Sequence, residues 1–399
     1  MKSLRHAATL LGVVFLGAAA ATAVAGAVIV LQIARRVVTP SVRVPDTEVL
    51  AVDTGAQTIE LSRTPDTELP GRYGLMMSGA PGYVKLGTVL SVNGDRVRRK
   101  LLTQISPGTD VGRRAVFSGW YYATPEELHL PFESVLVGTP AGPAPAWFFD
   151  APDASAAHAT WVIQVHGRGT TRNECLRAVP VFHEAGLPVL VASYRNDGEA
   201  PRTRGGAYAL GASEWQDIDS AIEYALRHGA QQVILMGWSM GGAIALQTVV
   251  STRHRDAIAG VILESPVVEW RTVLRFQARE AGMRDPLPQL AMDALATPWS
   301  ARLSGAEQAI PFDQLDMVAR ADELAEPILI LHSDDDGFVP SDASHALAAA
   351  RPDMVTLQAF EGARHTKLWN YDQTRWSNAI TQWLTAHGFV GDTEAATAE

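Results

Sequence analysis

The segment from Gln232 to Leu246 contains the clearest chemical pattern in the chain, a serine between two glycines. Gly237-Trp238-Ser239-Met240-Gly241 follows an apolar run and precedes a helical stretch. In a strand-to-helix turn of the form G-x-S-x-G, the glycines prevent backbone clashes and the serine is held in a tight turn. The positive end of the following helix favours negative charge that develops at the serine. The pattern predicts that Ser239 is a nucleophile, and an ordinary glycine-rich turn is the alternative.

Two later segments contain the acid and the base that a nucleophilic serine needs. Three carboxylates follow one apolar run, and His365 follows the next apolar run in a glycine-containing loop. We predict Asp336 as the acid because of its spacing from Pro340, and Asp334 is the alternative. We predict His365 as the base among 11 histidines, and we expect His332 to pack beside the acid loop.

A second turn, His166-Gly167-Arg168-Gly169, follows an earlier apolar run. We expect the backbone N–H groups of Arg168 and Met240 to form an oxyanion hole, which contributes strongly to acyl transfer. An ordinary strand-to-helix turn is the alternative. The Arg168 side chain has two expected partners, an anionic group of a substrate or one of three carboxylates. These carboxylates are Asp197, Glu199 and Asp217.

From about Leu130 onward, short apolar runs alternate with helical stretches, which predicts a mainly parallel sheet covered by helices. The expected strands are Trp161–Val165, Pro188–Ala192, Gln232–Met236, Gly260–Leu263, Ile328–Leu331 and Met354–Phe360, with an antiparallel pair at Phe132–Val137 and Ala146–Phe149. Ser213 and Gln216 predict a capping box at the start of one helix, and Gly229 predicts its end. We expect the nucleophile, the acid and the base to meet at one edge of this sheet.

Residues 37–127 have a different pattern, with short runs of β-forming residues separated by glycine and proline. Asn93-Gly94 fits a hairpin turn between two of these runs. No group of His, Asp or Glu in this region suggests chemistry, so we expect a small β-rich region with a structural role or a partner surface. The catalytic domain is then expected at residues 128–391, followed by a disordered tail at residues 392–399.

The first 36 residues predict a membrane anchor. The run Ala7–Ala34 is uncharged and, at about 1.5 Å per residue, spans roughly 40 Å as a helix, more than the ~30 Å hydrocarbon core. Its apolar part is longer than that of a signal peptide, and it stops at Arg35-Arg36. Cleavage near Ala25 and a buried soluble helix are the alternatives. The short tail with Lys2 and Arg5 favours a catalytic domain outside the cytoplasm.

Composition excludes several classes of function. The chain has 399 residues, which at ~150 residues per domain favours two or three folding units. It contains 33 basic and 43 acidic residues, a formal charge of −10, and no basic cluster, so nothing indicates nucleic-acid binding. Cys175 is the only cysteine, which excludes an intrachain disulfide and a cysteine-based zinc site.

These motifs together resemble the α/β-hydrolase superfamily. The resemblance rests on the order of His166-Gly167, Gly237–Gly241, Asp336 and His365. More narrowly, Tyr194–Asp197, Gly211–Asp217 and Gly237–Gly242 resemble actinobacterial membrane-anchored serine hydrolases, akin to the BEM46-like and prolyl-oligopeptidase-like branches. The resemblance covers about Leu130 to Val390 and implies a central eight-stranded sheet, serine-hydrolase chemistry and no cofactor.

Between the strand that ends near Glu264 and Pro327, the chain is helical, interrupted by proline and rich in apolar side chains. In the fold that the resemblance implies, an insertion at this place covers the nucleophile, so residues 266–320 are expected to form a small lid. Its apolar side chains are expected to line an acyl pocket, or alternatively only to pack the insertion onto the sheet.

The sequence therefore predicts a membrane-anchored serine hydrolase that cleaves acyl esters through an acyl-enzyme on Ser239. Its expected partners are a small acyl substrate and the lipid bilayer, through residues 7–34. An acyltransferase, a serine peptidase or a thioesterase with the same triad is the first alternative. A non-catalytic binding protein on a hydrolase frame is the alternative of another class.

Overall fold

The computed structural model of the chain describes residues 24–40, 43–152 and 159–390. These residues form a helix, a six-stranded barrel and an eight-stranded α/β unit, in that order along the chain. The predicted tail at 392–399 lies outside the described residues, as do residues 7–23 of the predicted anchor.

The first sheet is a closed antiparallel barrel of six strands. The strands are β1 (Thr47–Asp53), β2 (Thr58–Ser62), β3 (Tyr73–Met77), β4 (Tyr83–Asn93), β5 (Arg96–Leu101) and β6 (Arg114–Ser118), in the spatial order β1-β2-β5-β4-β3-β6. Asn93 pairs with Arg96 across the predicted hairpin turn, where Gly94 has a positive φ of 58°. Arg99 is fully buried in the barrel. Its guanidinium donates hydrogen bonds to the carbonyls of Thr67, Leu69, Gly71 and Gly87.

The second sheet confirms the eight-stranded architecture expected from the sequence. Its strands are β7 (Glu133–Thr139), β8 (Gly142–Phe149), β9 (Thr160–Val165), β10 (Val189–Ala192), β11 (Gln232–Trp238), β12 (Ile258–Glu264), β13 (Ile328–Ser333) and β14 (Val355–Phe360), in the spatial order β14-β13-β12-β11-β9-β10-β8-β7. β7 and β8 pair antiparallel as predicted, and β9 to β14 run parallel to one another. The carboxyl ends of these parallel strands therefore share one edge.

Helices cover both faces of this sheet. They are α2 (Val179–Glu184), α3 (Trp215–Arg227), α4 (Met240–Ser251), α5 (Trp270–Glu280), α6 (Leu287–Ala296), α7 (Pro298–Leu303), α8 (Asp342–Ala350), α9 (Leu368–Tyr371) and α10 (Gln373–Ala386), with 3₁₀ turns at Pro125–Leu128, Arg172–Ala178, Arg255–Ala257 and Ala321–Glu323. Successive residues of β11 point to opposite faces. Ile234 accordingly belongs to one buried apolar cluster with Phe182 and Trp376, and Leu235 belongs to another with Ile244.

The capping box predicted at the start of α3 is wrong. α3 begins at Trp215, and no side chain caps it. The carboxylate of the preceding Glu214 instead accepts the backbone N–H groups of Ala209 and Gly211, at 2.7 and 2.9 Å. Glu214 is fully buried, so these hydrogen bonds fix the loop that leads into the helix.

Residues 24–38 form helix α1, and its C-terminal half packs against the α/β unit. Ala34 and Val38 are fully buried in the same apolar cluster as Leu235 and Ile244. Val28, nearer the N-terminus, is 47% exposed. Within the part of the chain that the structure describes, we find no helix that combines the length and apolar character needed to cross a membrane.

Candidate active site

Ser239 lies in the sharp turn between β11 and α4, at the carboxyl edge of the sheet. Its φ of 52° and ψ of −116° form a conformation that non-glycine residues rarely adopt. A Cβ at Gly237 would lie 2.4 Å from the Gly241 carbonyl oxygen, and a Cβ at Gly241 would lie 2.1 Å from that of Val165. The turn therefore requires glycine at both positions, and it holds Ser239 in a fixed place.

The structure brings Ser239, Asp336 and His365 together. His365 Nε2 lies 3.0 Å from Ser239 Oγ, and His365 Nδ1 lies 2.9 Å from Asp336 Oδ2. Asp336 follows β13 and His365 follows β14, so two neighbouring parallel strands position the carboxylate and the imidazole. The imidazole therefore joins the hydroxyl to the carboxylate, in the arrangement in which it can take a proton from the serine.

The carboxylate of Asp336 is buried and remains ionised. Its Oδ1 accepts the backbone N–H groups of Phe338 at 3.0 Å and Val339 at 2.7 Å. Burial by itself would raise the pKa of Asp336, but the electrostatic interaction and hydrogen bonds with His365 and His332 hold it well below its usual range. His332 Nε2 lies 3.6 Å from Asp336 Oδ2, beside the acid as expected from the sequence.

Asp334, the alternative acid, has other partners. It accepts hydrogen bonds from the Ser341 hydroxyl at 2.6 Å and from His345 Nε2 at 2.8 Å, and its side chain is 47% exposed. The next carboxylate, Asp335, accepts the backbone N–H of Gly362. Of the three neighbouring carboxylates, the structure therefore places only Asp336 against the imidazole of His365.

The turn that contains Arg168 lies against the nucleophile turn. A Cβ at Gly167 would lie 3.3 Å from the Cβ of Ser239. The Gly167 N–H donates to Glu174 Oε2 at 2.7 Å and is therefore occupied. The backbone N–H groups of Arg168 and Met240 have no acceptor among the described residues. Two unpaired donors beside a nucleophile are what an oxyanion hole requires.

The ion pair expected for the Arg168 side chain is wrong. Its Nη2 donates to the carbonyls of Arg36 at 2.7 Å and Thr39 at 2.9 Å, at the C-terminal end of α1. Carbonyls at a helix C-terminus lack intrahelical donors, so a guanidinium binds there readily. The three candidate carboxylates have other partners: Asp197 pairs with His166, Glu199 with Arg172 and Asp217 with Arg195.

Glu174 is a buried residue of the site that sequence reasoning missed. It is 2% exposed and accepts the Gly167 N–H and the Thr170 hydroxyl, at 2.7 and 2.9 Å. Burial would raise the pKa of Glu174, but the charges of Arg177 and Arg43 and the Gly167 N–H lower it below its ordinary value. Glu174 therefore holds the turn of Arg168 in place as an anion.

Glu264 is a second buried glutamate, at the end of β12 behind the nucleophile turn. Its carboxylate accepts the indole N–H groups of Trp238 and Trp376, each at 2.9 Å, and its carbonyl accepts the Ser239 N–H at 3.1 Å. A charged residue at the end of an apolar run is a signal that could have identified Glu264. Glu174 lies in a polar turn and offers no such signal.

An apolar cavity of about 260 Å³ opens beside Ser239. Side chains of the predicted lid form much of its wall. They include Val267, Trp270, Val273, Leu274, Met292 and Leu295. Ile33 and Val37 of α1 also line this cavity, which sequence reasoning missed because it assigned α1 to the membrane or its edge.

A second cavity, of about 320 Å³, lies between the barrel and the α/β unit. Its lining includes His365 and Asp336, together with residues of β6 and of the segment that precedes β1. We call the two spaces the apolar cavity and the interdomain cavity.

Comparisons with known proteins agree with this architecture. Residues 156–302 match the family model described as Serine aminopeptidase, S33, and residues 48–118 match a Domain of unknown function (DUF8805). No curated protein sequence matches the chain. An esterase of Pyrococcus furiosus has a similar structure, with a TM-score of 0.51 at 15% identity, over 66% of this chain and 94% of that one.

Two further similar structures are a bromoperoxidase from Bacillus anthracis and an esterase from Rhodococcus sp. The first has a TM-score of 0.46 at 18% identity, over 63% of this chain and 99% of its own. The second has a TM-score of 0.44 at 17% identity, over 64% of this chain and 99% of its own. At 15% identity, the likeness to the esterase of Pyrococcus furiosus establishes the fold alone, and together with the family model it supports the α/β-hydrolase fold.

Proposed function

We propose that the chain is a serine hydrolase that cleaves acyl esters through an acyl-enzyme on Ser239. The observation that carries the proposal is the position of His365, with its ring nitrogens 3.0 Å from Ser239 Oγ and 2.9 Å from Asp336 Oδ2. In this geometry the imidazole takes the hydroxyl proton while the oxygen attacks an acyl carbonyl. Asp336 orients the ring and stabilises the imidazolium that forms.

The remaining steps use the same groups. The N–H groups of Arg168 and Met240 stabilise the oxyanion, and the N-terminus of α4 adds a favourable dipole. His365 then gives its proton to the leaving oxygen, so the bond to the alcohol breaks and the acyl group stays on Ser239. A water molecule, deprotonated by the same imidazole, hydrolyses the acyl-enzyme and restores the free serine.

The apolar cavity favours an acyl ester over a peptide with a free amino terminus. Each buried methylene of an acyl chain contributes about 0.8 kcal/mol to binding. An aminopeptidase needs a carboxylate or a similar acceptor for the amino group of its substrate. Among the described residues, the lining of the apolar cavity includes no Asp or Glu. This chemistry favours an esterase, the class named for the similar structure from Pyrococcus furiosus, over the activity in the family description.

Covalent labelling tests the nucleophile. We expect a fluorophosphonate probe to label the wild-type protein, and the protein to hydrolyse p-nitrophenyl acyl esters. Ser239→Ala should abolish both. Ser213→Ala is the matched control, because Ser213 lies before α3 and outside the site, and it should retain both. Persistent labelling of Ser239→Ala would identify another nucleophile, and cleavage of peptides without turnover of any ester would contradict the esterase proposal.

We also propose that the first part of the uncharged run Ala7–Ala34 anchors the chain in a membrane, with the catalytic unit outside the cytoplasm. The end of the run belongs to the α/β unit, because Ile33 lines the apolar cavity and Ala34 is buried in the core. The exposure of Val28 and Ile29, each 47%, supports an apolar environment for the first part of α1. The narrower resemblance to actinobacterial membrane-anchored hydrolases predicts the same location. The full chain should stay in the membrane fraction after a carbonate wash and leave it in detergent. Recovery in the carbonate supernatant would contradict the anchor.

A further inference from the structure

The interdomain cavity lies where the alcohol of an ester leaves. His365 gives a proton to the departing oxygen, so the alcohol must depart beside the imidazole. His365 lines the interdomain cavity, whereas Ser239 lines the apolar cavity. Phe338 lines both, with its ring centre 5.0 Å from that of His365. One ester can therefore place its acyl chain in the apolar cavity and its alcohol in the interdomain cavity.

The barrel supplies part of the interdomain cavity. Val116, Phe117 and Ser118 of β6 line it, as does Asp66 in the segment between β2 and β3. The facing wall is the loop 364–367 that contains His365. The barrel contributes no residue to the triad, but its residues in this cavity can contact the alcohol portion of a substrate.

The charges in the interdomain cavity are unevenly distributed, and two cations lie together at Asp66. Lys367 Nζ lies 3.4 Å from Asp66 Oδ1, and Arg364 Nε lies 3.9 Å from the same oxygen. One carboxylate therefore faces two cations. Asp66 Oδ1 accepts no hydrogen bond from the described residues, so the two contacts are ion pairs without a hydrogen bond. Arg364 also donates to the Asp335 carbonyl at 3.2 Å, and Lys367 donates to the His365 carbonyl at 3.5 Å.

The other charged groups of the cavity have partners of their own. Arg43 lies 3.7 Å from Glu174 and donates to the Ser118 hydroxyl at 2.6 Å. Asp46 accepts the backbone N–H of Phe117 at 3.1 Å and the Thr47 hydroxyl at 2.8 Å. Asp336 is paired with His365. The lining thus holds three basic and three acidic residues, and Arg364 and Lys367 are the two cations that share a single carboxylate.

We propose that the interdomain cavity binds the alcohol portion of the ester and prefers an alcohol with a carboxylate or phosphate group, held by Arg364 and Lys367. The proposal rests on the esterase function proposed above. In the acylation step the bond from Ser239 Oγ to the acyl carbon forms and the bond from that carbon to the alcohol oxygen breaks. The serine proton passes through His365 Nε2 to that oxygen. The anionic group takes no part in these bond changes and only positions the alcohol.

The preference for an anionic alcohol can be tested with pairs of esters that share the same acyl chain and differ only in the charge of the alcohol. One pair is the butyrate of p-nitrophenol and the butyrate of the same phenol with a ring carboxylate. A second pair is monobutyryl glycerol and monobutyryl glycerol phosphate, which distinguishes phosphate from carboxylate recognition. We expect the wild-type protein to have a higher kcat/KM for the anionic member of at least one pair, with a preference that decreases at high salt.

Two variants should change this ratio in opposite directions. Lys367→Gln removes a cation and should lower the anionic-to-neutral ratio of kcat/KM about fivefold, whereas Asp66→Asn removes the competing carboxylate and should raise it about fivefold. Arg113→Gln removes a charge from an exposed barrel residue outside the cavity and should leave the ratio unchanged. A purely structural role of Lys367 or Asp66 would alter both substrates together and leave the ratio constant.

The outcomes separate the two proposals. Hydrolysis of neutral esters with an unchanged ratio in both variants would overturn the anionic site and leave the esterase function intact. Absence of ester turnover by the folded wild-type protein would overturn both. Opposite shifts in the two variants, with an unchanged control, would support the site.

Discussion

Asp336 combines two properties that burial alone would make incompatible, since it is shielded from water and yet ionised. The backbone N–H groups of Phe338 and Val339 occupy one oxygen, and His365 faces the other. These contacts outweigh the desolvation of the carboxylate, and they fix which oxygen faces the ring. Asp336 therefore determines the tautomer of His365 and also contributes to the pH dependence of the free energy of unfolding.

Asp336→Asn should inactivate the protein through the tautomer of His365. The amide oxygen can still accept from Phe338 and Val339, which turns the amide N–H₂ toward His365 Nδ1. The ring proton then moves to Nε2, and Nε2 can no longer accept the proton of Ser239. We expect kcat for p-nitrophenyl butyrate to fall about four orders of magnitude. Asp334→Asn is the matched control and should keep the wild-type kcat; equal losses in both variants would contradict this role.

Acid unfolding should also depend on Asp336. Because folding lowers the pKa of Asp336, the unfolded chain binds this proton more readily than the folded protein does. The stabilisation is complete above the unfolded pKa of about 3.9 and is lost as the pH falls through the lower folded pKa. The free energy of unfolding, measured with urea from about pH 6 to about pH 3, should decrease less steeply for Asp336→Asn than for wild type. Parallel curves would contradict this contribution.

Sequence spacing was sufficient to identify Ser239, Asp336 and His365, because each has a residue type that serine chemistry needs and each follows an apolar run. It was not sufficient for Glu174 and Glu264. Their function is to accept hydrogen bonds from groups that become neighbours only in the folded chain, such as the indoles of Trp238 and Trp376. A buried hydrogen-bond acceptor leaves no periodic pattern in a sequence.

At the scale of the elements, α1 shows where sequence reasoning is ambiguous. Apolar residues in a helix are equally suited to a bilayer and to a protein surface. The structure shows that the C-terminal half of α1 packs on the α/β unit, where Arg168 holds its last carbonyls. Ile33 and Val37 consequently reach the apolar cavity. We infer that α1 helps to set the length of acyl chain that the cavity accepts.

Ile33→Trp should shorten the preferred acyl chain. An indole that displaces two methylene groups of the chain removes about 1.6 kcal/mol of burial, at about 0.8 kcal/mol each. The ratio of kcat/KM for p-nitrophenyl octanoate to that for the acetate should therefore fall about fifteenfold. Ile29→Trp is the matched control, because Ile29 lies one turn earlier, is 47% exposed and is outside the cavity. The same chain-length profile in all three proteins would contradict a role of α1 in the cavity.

At the scale of the whole molecule, the barrel and the α/β unit meet beside α9 through hydrogen bonds to main-chain carbonyls. The Arg72 N–H donates to the Asn370 carbonyl at 3.2 Å, and the Asn370 side-chain amide donates to the Arg72 carbonyl at 2.8 Å. The Arg177 guanidinium also donates to the carbonyl of Gly119 at 3.0 Å. Composition indicated several folding units, but it contained no information on this interface, because composition does not show which residues become neighbours in the folded chain.

Gly71→Ala tests whether this interface holds the barrel over the triad. Gly71 has a φ of +100°, and a Cβ there would lie 1.9 Å from the Asn370 carbonyl oxygen. Gly82→Ala is the matched control, because Gly82 has a φ of +84° and a Cβ there would have no atom within 4 Å. Both variants incur a backbone cost of about 1 kcal/mol, and the clash adds about 2 kcal/mol for Gly71→Ala alone. Thermal unfolding should therefore show a larger loss for Gly71→Ala.

Displacement of the barrel should also weaken substrate binding, since β6 lines the interdomain cavity. We expect Gly71→Ala to raise KM for esters of anionic alcohols, measured well below its unfolding temperature, whereas Gly82→Ala should keep the wild-type KM. A barrel that served only as a separate structural unit would lose stability in both variants and alter KM in neither. A comparison of KM between Gly71→Ala and Gly82→Ala thus distinguishes a barrel that contributes to substrate binding from one that has only a structural role.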